Sequence, residues 1–132
     1  MEETNWRQLV VMIQKEVAER IVAESNNKKY GRISIMMQTF FNVKIMFHIP
    51  NTVFRPIPDV KSSLLSITPK KNNKVNYEKL KLVVENAFKH RRKKIKHNLK
   101  KIINEKELIH IKDKRAEQLS VNDFQQLSKL IN

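Results

Sequence analysis

Gly31 is the only glycine in the 132-residue chain, where average usage of about 7% would supply about nine. A phosphate-cradling loop needs two or more positions without a Cβ, so that the backbone can close on the anion. P-loops, GxGxxG turns and kinase-type lids are therefore excluded within these residues, and nucleotide binding by those routes with them. Cysteine is absent too, which removes disulfides, thiolate zinc sites and a cysteine nucleophile, and suits a reducing cytosol. The four histidines, His48, His90, His97 and His110, show no ligand-like pairing with acids or with each other, so no metal is expected. The longest early apolar run, Leu9 to Ile13, is too short for a signal h-region or for a membrane span of about 20 residues. A soluble, cytoplasmic protein without membrane contact is the expectation.

Charge narrows the class of partner. The chain carries a formal net charge of +14, unevenly spread. Residues 1–66 hold nine Lys/Arg against six Asp/Glu, a net of +3, and residues 67–132 hold eighteen against seven, a net of +11. Such asymmetry points to a polyanion, and nucleic acid is the usual one for a soluble chain. An AT-rich genome would also raise lysine, but it explains diffuse lysine better than the run KHRRKKIKH at 89–97.

The order of patterns predicts α/β followed by all-α. Leu9 to Ile13 reads as a strand buried on both faces of a parallel sheet. Gln14 to Glu24 has helical spacing, and Ile33, Met36, Met37, Phe40 and Phe41 form the stripe of an amphipathic helix opened by Gly31. Val43, Ile45, Phe47 and Ile49 alternate as in a strand with one wetter face. Pro50, Pro56 and Pro58 hold the next stretch extended and out of any helix, and Ser63 to Ile67 reads as a third strand. Lys70 to Lys74 is a polar linker. Beyond it the pattern is helical throughout: Asn76 caps a helix carrying Leu80, Val83, Val84, Ala87 and Phe88, and the basic run lies above a stripe of Ile95, Leu99 and Ile102. Ser120 opens the last helix, with Asp123 in its first turn and Leu119 stapled to Phe124. Two domains are expected, 1–69 and 70–132. Three strands leave sheet edges and helix faces wanting a neighbour, so residues 1–69 read as the second half of a larger sheet.

Five segments occur in a recognisable order: VMIQKEVAERI at 11–21, YGRISIMMQ at 30–38, FRPIPDVKSSLLSITP at 54–69, AFKHRRKKIKHNL at 87–99 and RAEQLSV at 115–121. Together they resemble the ribosomal RNA adenine dimethyltransferase family, from about residue 9 to residue 130. The resemblance implies a Rossmann-like methyltransferase that uses S-adenosylmethionine to methylate the exocyclic amines of two adjacent adenines in small-subunit ribosomal RNA, followed by a small helical domain. The family's glycine-rich cofactor loop and Asn-Leu-Pro-Tyr catalytic motif have no counterpart here, so the chain resembles the C-terminal half alone. No residue takes the catalytic or cofactor-binding roles, and S-adenosylmethionine is not expected to bind this chain by itself. The implied partners are small-subunit ribosomal RNA and the N-terminal half that these residues lack, the chain being a fragment or the product of a truncated or split reading frame. The chain departs from the family at Pro50-Asn51, at Pro56-Ile57-Pro58, at Asp59 with Lys61, and at Lys96-His97-Asn98.

The candidate RNA-binding residues are Lys15, Arg32, Phe54, Arg91, Arg92, Lys93, Lys94, Lys96, Lys100 and Lys101. Lys15 follows the carboxyl end of the first strand, where ligands of open α/β sheets gather, or it is a solvated helix start. Arg32 reaches a phosphate, or serves a turn that Tyr30 and Gly31 build by packing. Phe54 stacks on an unpaired base, or plugs the space between sheet and loop. The cluster Arg91 to Lys94 is single-signed and contacts RNA phosphate, with Lys96, Lys100 and Lys101 extending it. A different class of function stays open: a stand-alone basic helical module binding RNA or DNA in ribosome assembly.

Overall fold

The computed structural model describes residues 5–132. Leu9–Gln14 forms strand β1 and passes directly into helix α1, Lys15–Val22, which buries Ala18 and Ile21. A turn through Asn26 (φ 70°) follows, and Asn72 (φ 58°) takes the other left-handed position found in the described residues. Asparagine tolerates that region because its short polar side chain bonds locally. Gly31, with φ −169°, is in extended backbone that any residue adopts. Helix α2, Arg32–Phe40, runs straight into strand β2, Phe41–Ile49. Strand β3, Ser62–Pro69, then returns between the other two, giving the order β1-β3-β2.

Both pairings are antiparallel, with Met12 opposite Leu64 and Val43 opposite Ile67. The expectation of a first strand buried on both faces of a parallel sheet is thus corrected. β1 lies at an edge and leaves Val10 (44%) and Met12 (54%) exposed. A continuous apolar run records what a strand would bury, not which neighbours a chain supplies. A bulge at Met46 brings a second correction: it sets Phe47 opposite Leu64, so Phe47 leaves the face shared by Val43 and Ile45 and is 55% exposed. The proline-rich loop is not wholly extended, since Asn51–Val53 makes one 3-10 turn.

Beyond residue 70 come helix α3, Tyr77–Ala87, the short helix α4, Ile95–Leu99, two 3-10 turns at Glu105–Leu108 and Ala116–Gln118, and helix α5, Val121–Ser128. The caps form as the sequence specifies. Asn76 Oδ1 accepts from the Lys79 N–H at 3.0 Å, and Ser120 and Asp123 cap each other's backbone N–H groups at 3.0 and 2.9 Å. Only the end of the basic run is helical, however, with Lys96 and His97 in α4 and Arg91 to Lys94 outside any helix. α3 ends at Ala87, residues 88–93 form turns and a bend, and Lys94 enters a bridge to Arg115. Consecutive cations at helical spacing repel one another, and Asn98 stabilises the turn by donating from Nδ2 to the Ala87 and His90 carbonyls at 2.9 and 3.0 Å.

Two hydrophobic clusters hold the chain. The smaller sits between sheet and helices, with Ile21, Leu65 and Ile67 buried and Val11, Ile13, Val43 and Ile45 against them. The larger joins Tyr30, Ile35 and Phe40 from around α2 to Leu80, Val83, Leu99, Leu119 and Phe124. The α2 stripe is therefore rotated from the expected one: Ile35 and Phe40 are buried while Ile33 is 41% exposed. Buried polar groups of α1 and α2 find partners. Ser34 Oγ donates to the Arg20 carbonyl and accepts from the Gly31 N–H, and Gln38 Nε2 donates to the Ile21 and Ala23 carbonyls at 2.8 and 2.7 Å, closing the end of α1.

Tyr30 ties these parts together. Its fully buried hydroxyl donates to the Leu119 carbonyl at 2.7 Å, and the Asn26 N–H donates to the Glu117 carbonyl at 2.8 Å. Burial, aided by the charge of Asp123, pushes the Tyr30 phenol above its ordinary value of 10.0. The native state therefore holds the proton more tightly than the unfolded chain does, so this contribution is intact below pH 10 and is lost as pH rises beyond it. Tyr30→Phe leaves the Leu119 carbonyl unpaired and is expected to cost about 1–3 kcal/mol. Urea melts at neutral and alkaline pH check both statements, because the variant should also lose part of the alkaline sensitivity.

Candidate nucleic-acid interface

The candidate residues fall into two groups. Lys15 stands at the carboxyl end of β1, where its N–H donates to the Lys61 carbonyl at 2.9 Å. The 50–61 loop, with Phe54 half-buried in it, leaves β2 at that same end of the sheet, because Ile49 and Gln14 both face Ser62. Lys15 Nζ is 3.8 Å from Glu19, a carboxylate that also pairs with Lys29. Phe54 joins neither buried cluster.

The second group centres on the turn after α3. Arg91 Nη2 donates to the Tyr30 carbonyl at 2.9 Å, and its guanidinium lies over the Phe88 ring, 5.7 Å from the centroid. Arg91 is thus engaged by the protein itself, and it sets the course of the turn. A Cβ at Gly31 would meet this guanidinium at 3.6 Å, an ordinary van der Waals distance. Arg32, the first residue of α2, is exposed beside this junction. Arg92, Lys93, Lys100 and Lys101 are exposed and, among the described residues, have no acid within salt-bridge distance.

Lys94 and Lys96 converge on one oxygen. Their Nζ atoms lie 3.5 and 3.3 Å from Asp113 Oδ1, and Lys96 foremost, with Lys94 adding to it, holds that carboxyl below the usual carboxylate range. The backbone explains why Asp113 is there. The Ile95 and Lys96 N–H groups, orphans of the first turn of α4, donate to the Lys114 and Lys112 carbonyls at 2.7 and 3.1 Å, and Lys94 pairs with Arg115 in an antiparallel bridge. A second basic segment, Lys112 with Lys114 and Arg115, is thereby laid beside the first. Sequence reasoning passed over these three residues, although the run KDKR at 112–115 was a signal for them.

Other chemistry is sparse. Among the described residues, no group of three or more His, Cys, Asp or Glu side chains is placed to hold a metal ion, and no helix is long and apolar enough to cross a membrane. A groove of about 430 Å³ at the end of α1 is lined by Glu19, Val22, Ala23, Glu24, Asn27 and Lys29. An adenosyl ligand needs an apolar slot that buries most of its surface. Here two carboxylates, an amide and a lysine surround only two small apolar side chains.

Solved structures define the fold. The chain resembles a dimethyladenosine transferase from Plasmodium falciparum with a TM-score of 0.82 at 24% identity, covering 92% of this chain and 56% of that one. The 23S rRNA methyltransferase ErmE resembles it with a TM-score of 0.62 at 18% identity, covering 93% of this chain and 55% of that one. These likenesses show part of a Rossmann-like methyltransferase fold. Among curated proteins, the ribosomal RNA small subunit methyltransferase A of Wigglesworthia glossinidia brevipalpis is 41% identical over 94% of this chain, and that of Legionella pneumophila (strain Lens) 42% over 92%. The chain spans about half the length of these relatives, 51% and 50%. The profile of the family described as Ribosomal RNA adenine dimethylase matches residues 1–132, and the chain belongs to that family.

Proposed function

We propose that this chain is the C-terminal part of a ribosomal RNA adenine dimethyltransferase, acting in the cytoplasm on small-subunit ribosomal RNA. In this reading residues 1–69 complete a methyltransferase sheet, residues 70–132 form the RNA-binding domain, and the N-terminal half of the fold, outside these residues, supplies the S-adenosylmethionine site and the catalytic groups. The observation that carries the reading is the open side of β1 in a chain half as long as its relatives. Val10 and Met12 are exposed, and Phe47 and Leu64 continue the same outer face across the sheet. Apolar strand surface of this kind is stabilised only by a covering layer.

Complementation tests it. The chain is co-expressed with the first half of the Legionella pneumophila relative, and methyl transfer from S-adenosylmethionine to undermethylated small subunits is measured. The chain alone is expected to be inactive and to show no calorimetric binding of the cofactor, while the pair co-purifies and methylates. Met12→Lys is expected to prevent co-purification, because a charge buried at the junction costs far more than a methionine left in water. Activity or stoichiometric cofactor binding by the chain alone would overturn the division of labour. RNA binding without any complex would leave the stand-alone module as the better account.

A further inference from the structure

Lys94 and Arg115 face each other across an antiparallel bridge, and like charges directly opposite on paired strands are destabilising. Lys96 lies two residues from Lys94 and its ammonium meets the same carboxylate, while Arg115 stands across the bridge from Lys94. Local rules are broken in this way mainly where a ligand repays the strain. The compensation present is Asp113, one of whose oxygens receives both lysine ammoniums, and this carboxylate is about half exposed. An exposed ion pair of this kind contributes little free energy, so little is lost when another anion takes the carboxylate's place. The N–H groups of α4 are already consumed by the Lys112 and Lys114 carbonyls, so the anion preference resides in the side chains alone.

We infer that Lys94, Lys96 and Arg115 form a seat for one backbone phosphate of RNA, in which a phosphate oxygen replaces the Asp113 carboxylate. Asp113 is then a stand-in that keeps the two ammoniums convergent when no RNA is bound. The seat extends the binding surface from the 91–94 turn onto the 112–115 segment, and it rests on the proposed RNA-binding role of residues 70–132. A phosphate held there carries no base information, so the seat positions RNA without selecting sequence.

The test uses the full chain and a short double-stranded RNA hairpin, with affinity followed by fluorescence anisotropy over a series of salt concentrations. Arg115→Gln is expected to flatten the log–log salt slope by about 0.7–0.9, the value for one phosphate no longer neutralised, and Arg115→Lys to keep it. The Arg115 N–H donates to Gln118 Oε1 at 2.8 Å through the backbone, so both variants retain that turn. Asp113→Asn is expected to raise affinity about two- to five-fold at low salt and to steepen the slope. Glu105→Gln removes an equal charge without freeing a lysine and is expected to change affinity less. A structural role for Asp113 would instead make Asp113→Asn bind more weakly. That result, or an unchanged slope in Arg115→Gln, overturns the seat while leaving the wider RNA-binding role standing. A parent chain that binds no RNA at any salt overturns both.

Discussion

Phe124→Ala is expected to lower stability by about 3–5 kcal/mol, a large share of the roughly 5–15 kcal/mol that holds a domain of this size together. The ring is fully buried and stacks on Phe88, with centroids 5.8 Å apart and planes inclined by 24°. Removing it opens a void between α3 and α5 that their capped ends prevent from collapsing. The consequence reaches the interface, because Phe88 also lies beneath the Arg91 guanidinium that is tied to the Tyr30 carbonyl. A melt followed by circular dichroism should therefore fall by about 10 °C or more, and RNA affinity should weaken even below the transition. Phe124→Leu fills most of the space and is expected to recover much of both effects. A variant melting within a couple of degrees of the parent would remove Phe124 from the centre of the fold.

What the sequence made legible was local. The Asn76 cap and the Ser120–Asp123 box form as written because each is decided within one helical turn. The three strands could be placed because apolar runs and alternation are properties of consecutive residues. What could not be read were the encounters between distant segments. Leu9 to Ile13 does not say that β3 will pair with it antiparallel, nor that its second edge stays open. Nothing in the alternation of Val43, Ile45 and Phe47 marks the bulge at Met46 that turns Phe47 outward. The arginines at 91 and 92 look equivalent in sequence, yet one is held by the Tyr30 carbonyl and the Phe88 ring while the other is exposed without an acidic partner among the described residues. Composition placed the charge in the second half of the chain. Only the pairing of 94–96 with 112–115 shows that two basic runs make one surface.

The largest effect on RNA affinity is expected from the cations that the protein does not itself employ. Replacing Arg92, Lys93, Lys100 and Lys101 together by glutamine removes exposed charges that have no acidic partner among the described residues, and it spares the Arg91 clamp and the Lys94–Asp113–Lys96 cluster. For every phosphate that is no longer neutralised, the log–log salt slope should flatten by about 0.7–0.9, so affinity at low salt should fall by orders of magnitude while sequence preference stays the same. The folded state should be indifferent, because solvated lysines contribute little to packing. Replacing Lys70, Lys71 and Lys74 removes three charges from the segment that joins β3 to α3, and the effect should be smaller, since Lys70 Nζ is already spent on the Gln38 carbonyl. Phe54→Ala gives the opposite signature. A stacked base is worth about 1–3 kcal/mol and releases no counterions, so affinity for unpaired RNA should drop at constant slope. The four binding series, each over several salt concentrations, separate positioned charge from diffuse charge and both from stacking. Equal slope changes in the linker variant and the quadruple variant would mean that net charge alone draws the RNA, and that the turn after α3 has no special part in holding it.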